Sequence, residues 1–126
     1  MTRVMIVDDD YETQYLVQDI VSTLGWTFEG ATSGAGAWQV IQQVLPDLVI
    51  SGIDIPGMSG LNLAFNIKSD PRLSRIPVVL MGSPILERTA LATSCDAFIA
   101  KPFNGQTLLQ LLTQLIPQEP SNGEYN

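Results

Sequence analysis

The feature that most constrains this chain is an alternation. Five short apolar runs recur along it, and a stretch with helical spacing follows each one. The runs "VMIV" (4–7), "WTFEGA" (26–31), "LVISGI" (48–53), "VVLM" (78–81) and "AFIA" (97–100) are expected strands. Most are continuously apolar rather than alternating, which belongs to strands buried on both faces. After the first, Leu16, Val17, Ile20, Val21 and Leu24 fall on one helical face, with Asp10 as a cap and Gly25 as a stop. Ser33 is expected to cap a second helix, with Ala37, Trp38, Val40, Ile41, Val44 and Leu45 on its apolar side and Pro46 ending it. "LNLAFNIK" (61–68) and the short "ILERTALA" (85–92) are the next helices. Asn104 is placed to cap the last, in which Leu108, Leu109, Leu111, Leu112, Leu115 and Ile116 precede Pro117.

Strands alternating with helices define an α/β chain with a parallel sheet, and right-handed crossovers make it an open, doubly wound five-stranded sheet. The 126 residues suit one core. Residues 1–116 are expected to form the domain, and 117–126 a tail or the start of a linker. Sheets of this kind place ligands and chemistry beyond the carboxyl ends of their strands. The residues there are Asp8-Asp9-Asp10, Gly52 to Asp54, Gly82-Ser83 and Lys101-Pro102.

Charge and residue types narrow the chemistry. Thirteen acids against six bases leave a net charge of −7, so neither nucleic acid nor an anionic membrane surface is an expected partner. There is no histidine, which removes Ser-His and Cys-His pairs, histidine metal ligands and phosphohistidine donation. The single cysteine, Cys95, excludes an internal disulfide and fits a cytoplasmic setting. Acids brought together from two strand ends repel unless a cation lies between them, and hard oxygen ligands of this kind suit Mg²⁺.

The pieces "VMIVDDD", "PDLVISGIDIPGMSG", "PVVLMGS" and "AFIAKPF", in this order, resemble the response-regulator receiver domain over about residues 3 to 116. The resemblance implies a flavodoxin-like (βα)5 fold with strand order 2-1-3-4-5. It also implies two-component signalling, in which an aspartate accepts a phosphoryl group from a histidine kinase with the help of Mg²⁺. Carried over, the acid pair is Asp8 and Asp9, the lysine is Lys101 and the switch aromatic is Phe98. Two positions depart. The acceptor position holds Gly52, and the switch hydroxyl position holds Gly82, with Ser83 beside it.

Glycine supplies no nucleophile and no metal ligand, so any Mg²⁺ binding is expected to be weak, with no other cofactor. Asp54 stands two residues on. If the strand stays extended that far, Asp54 shares a side with Gly52 and is the candidate substitute, completing an acidic pocket with Asp8 and Asp9. Otherwise it is a solvated loop acid. The leading expectation is an atypical receiver, not an enzyme, that signals by phosphorylation-independent protein contact with a histidine kinase, an effector domain or itself as a homodimer. A working phosphoacceptor using Asp54 is the alternative, and a small-ligand binder ranks last. The broad apolar face of the last helix marks Leu109, Leu112 and Ile116 as the expected partner surface.

Overall fold

The computed structural model describes residues 1–117 of the chain. The expected tail therefore lies outside the described residues, apart from Pro117. The elements are β1 (Arg3–Val7), α1 (Tyr11–Thr23), β2 (Thr27–Ala31), α2 (Gly34–Val44), β3 (Leu48–Gly52), α3 (Gly60–Ser69), β4 (Val78–Gly82), α4 (Glu87–Leu91), β5 (Ala97–Ala100) and α5 (Gly105–Leu115). A single turn of 3-10 helix, Pro84–Leu86, precedes α4. All strand pairings are parallel, in the order β2-β1-β3-β4-β5.

The alternation of the pleat sorts each strand's side chains into two cores. Met5, Val7, Val49, Val78 and Leu80 point to the side covered by α2 and α3. Val4, Ile6, Leu48, Ile50, Val79, Met81 and Ile99 point to the side covered by α1 and α5. β1, β3 and β4 need apolar residues at successive positions because both of their faces are covered. β2 is the exception: it ends the sheet, and its residues 27–30 are exposed.

Four side chains start the long helices as expected of caps. Asp10 accepts from the Thr13 amide, Ser33 from Gly36, Ser59 from Asn62 and Asn104 from Thr107. The end of α2 differs from the sequence reading. Leu45 leaves the helix in a left-handed conformation (φ 53°) and is exposed, so it is the C-cap rather than part of the apolar side.

One lysine fastens the far side of the sheet. Lys68 Nζ lies 2.8 Å from Asp96 Oδ2 and also donates to the carbonyls of Ile76 (2.6 Å) and Ser74 (3.3 Å). Asp96 in turn accepts from the Val78 amide at 2.7 Å. Together these contacts tie α3 to the starts of β4 and β5.

Candidate functional site

The carboxyl ends of β1, β3, β4 and β5 bring Asp8, Gly52, Gly82 and Lys101 to one crevice. β1 ends at Val7, so Asp8 is the first residue past the sheet, yet its side chain is only 1% exposed. A buried carboxylate must be paired to stay charged. Nζ of Lys101, whose side chain is 31% exposed, lies 2.8 Å from Asp8 Oδ2, and Asp8 Oδ1 accepts the Asp10 amide at 2.9 Å.

This pairing occupies the space beside Gly52. A Cβ on Gly52 would lie 2.6 Å from Asp8 Oδ2 and 3.2 Å from Ile55 Cγ2. The crevice therefore closes over the glycine. Asp54 does not fill it. β3 ends at Gly52, the chain then turns, and Ile55 N–H reaches back to the Ile53 carbonyl at 3.1 Å. The extended continuation that would align Asp54 with Gly52 is absent. Ile53 and Ile55 are buried and Asp54 between them is exposed. Burying two isoleucines drives this loop inward and turns the acid between them out to solvent.

The loop is held closely from both sides. Gly34 N–H donates to the Pro56 carbonyl at 3.0 Å, and Gly60 N–H to the Ile53 carbonyl at 2.9 Å. A Cβ on Gly34 would overlap the Met58 carbonyl, and one on Gly60 would overlap the Gly52 carbonyl. Only glycine allows backbones to approach this closely.

Mg²⁺, which the receiver resemblance implies, does not fit the residues present. Of Asp8, Asp9 and Asp54, only Asp8 is buried in the crevice, and Asp9 and Asp54 are exposed. Among the described residues, no three acidic, histidine or cysteine side chains gather to hold a metal. The one carboxylate inside the crevice already holds an ammonium group.

The remaining residues separate into core and rim. A Cβ on Gly82 would meet Ile53 and Leu86 methyl groups at 3.3–3.4 Å, so that position faces hydrocarbon. Ser83 is exposed and opens the 3-10 turn. Phe98 is half-buried against the core on the α2–α3 side. Cys95 donates from Sγ to the Ala90 carbonyl at 3.1 Å, and burial, followed by the nearby Asp96 charge, pushes its thiol pKa up. The expected partner surface needs correction. Leu112 is fully buried, and Ile116 packs partly against the same core, so only Leu109 of the three lies outside that cluster. The α5 stripe is wide because it covers sheet edge and α1 together.

Sequence reasoning missed Gln14. Buried in α1, its amide lies 3.2 Å from the Ile6 carbonyl, 3.1 Å from that of Asp8 and 2.8 Å from that of Ala31, and Gln18 donates to its oxygen. It joins the ends of β1 and β2 just behind Asp8. A glutamine on the inner face of an amphipathic helix was the available signal. Beside the ion pair lies a hollow of about 570 Å³, lined by Asp10, Thr13, Leu16, Lys101 and Phe103 among others.

The geometry defines a doubly wound domain with a receiver-type crevice. The response regulator receiver domain family matches residues 4–113, and the chain belongs to that family. It is similar to the chemotaxis protein CheY of Thermotoga maritima, at 30% identity over 90% of this chain and 96% of that one. It is also similar to the gliding motility regulatory protein of Myxococcus xanthus, at 32% identity over 90% of this chain, but spans only 15% of that protein's length. A putative response regulator from Chloroflexus aurantiacus shares the fold, with a TM-score of 0.87 at 23% identity over 93% of this chain and 98% of that one. The sheet order 2-1-3-4-5 is the one the sequence resemblance implies.

Proposed function

We propose that this receiver domain is not an enzyme and signals by protein–protein contact without forming an aspartyl phosphate. The carrying observation is the buried Asp8–Lys101 pair lying over Gly52. Phosphoryl transfer to a receiver needs a carboxylate nucleophile, and Gly52 has none. It needs a cation held by several oxygens, and among the described residues no three acidic side chains gather to hold one. It needs a free positive charge for the incoming anion, and Lys101 is already neutralised. The fold of the family is retained. Its output is contact with a histidine kinase or an effector domain, the classes of protein with which receiver domains interact.

Intact-mass measurement after incubation with acetyl phosphate and Mg²⁺ tests this reading. The wild type is expected to stay unmodified. A wild type that gains one phosphoryl group, and loses that gain on Asp54→Ala, would overturn it.

A further inference from the structure

A second feature stands away from the crevice and does not depend on Gly52. Residues 4–67 contain no lysine or arginine, yet they carry eight of the thirteen acids. This half of the chain builds α1, β2 and α2. On it, Tyr11 and Tyr15 of α1 are each 69% exposed and Phe28 of β2 is 37% exposed. They line two adjoining hollows of about 370 and 550 Å³ between α1 and β2, with Tyr15 in both. Gly30 forms part of the floor of one, and Asp19 lines the other.

Exposed aromatics clustered at one place on a small domain mark contact surfaces. The outer side of β2 has no neighbouring strand among the described residues, so its backbone groups are open to a partner. The groove runs past Tyr11 to Ser22, ~17 Å of helix at 1.5 Å per residue. That length matches about five residues of extended chain. The charge of the region selects the occupant. An acidic segment would meet Asp19 and no base among the residues that line the two hollows. A basic one gains long-range attraction and places guanidinium groups over tyrosine faces.

We propose that the α1–β2 face, centred on Tyr15 and Phe28, is a docking groove for a short, extended, arginine- or lysine-rich segment of a partner protein. Aromatic faces and the open strand edge supply the contact, and Asp19, the one charged residue lining the hollows, supplies the sign. A second copy of this chain offers no basic residue from its own residues 4–67, so like faces do not pair.

A peptide alternating arginine with valine, fluorescently labelled, is the probe. Anisotropy reads its binding to the full chain, and ¹⁵N amide shifts locate it. Binding is expected to produce shifts at Tyr11–Ser22 and Phe28–Thr32, to weaken about tenfold or more in Tyr15→Ala, and to leave a peptide alternating glutamate with valine unbound. Phe65→Ser, on the exposed face of α3, is the control and is expected to bind as wild type. Thermal melts establish that both variants are folded. The proposal is overturned if no binding occurs, if the shifts fall at Asp8–Asp10 instead, or if Phe65→Ser weakens binding equally. It is also overturned if the chain self-associates through this face, with Tyr15→Ala rendering it monomeric.

Discussion

Gly52 and Asp8 compete for the same space: a β-carbon on Gly52 would stand 2.6 Å from the Asp8 carboxylate oxygen that binds Lys101. The absence of a side chain at one position is thus what lets the other sit in place. Gly52→Ala should push Asp8 off its partner and destabilise the fold by about 1–3 kcal/mol, the range for overpacking a buried site. Urea denaturation measures it. An alanine variant as stable as the wild type would show that the carboxylate has room to move.

Lys101→Met strands Asp8. A buried carboxylate without its cation is costly, and partial exposure of Lys101 lowers the penalty from its fully buried range to about 2–3 kcal/mol. Adding Asp8→Asn to Lys101→Met should recover much of that loss, since no charge is then left unpaired. A double variant as unstable as the sum of the two single variants would rule out direct coupling.

Leu112 and Leu109 are three residues apart and should behave differently. Leu112→Ala opens a cavity in the α1–α5 core and should cost about 2–5 kcal/mol. Leu109→Ala should cost under about 1 kcal/mol, as expected of a half-buried position. Chemical denaturation of the two single variants separates them, and equal losses would refute the placement.

Asp10 predicts the acid side of the stability curve. Bonds from the Thr13 hydroxyl and then the Thr13 amide lower its carboxyl pKa below the ordinary aspartate value of 3.8. A depressed folded pKa contributes stability that is present above the unfolded value and lost as pH falls through the folded one. Wild type and Asp10→Ala melting temperatures should therefore differ at neutral pH and converge below about pH 4. A gap that stays constant down to strongly acid pH would exclude the carboxylate as its cause.

The fold was legible because its signals were local and repeated. Continuous apolar strands, the helix caps Asp10, Ser33 and Asn104 and the breaks at Gly25 and Pro46 needed no knowledge of distant contacts. The crevice was legible in part, since Asp8, Gly52, Gly82 and Lys101 follow strands and the topology alone gathers them. What sequence did not disclose depends on three-dimensional competition. Asp54 turns outward because Ile53 and Ile55 on either side are buried. Leu112 looked like a surface residue because a broad stripe does not say how much neighbouring structure covers it. Gln14 was overlooked because its value lies in carbonyls of two strands that only the fold brings within reach.

The glycines at 34 and 60 have a consequence for the history of such a domain. They clasp the segment between β3 and α3 so closely that its residues cannot be re-registered. Sliding Asp54 back by two places would bring Asn62 to the place of Gly60, where a β-carbon would overlap the Gly52 carbonyl. A lineage that had lost its acid at the end of β3 could regain it by direct replacement at position 52 alone, and only after Asp8 and Lys101 released each other. The clasp thus works as a ratchet on register: it holds the loop to the contacts it now makes and leaves replacement at position 52 as the way back.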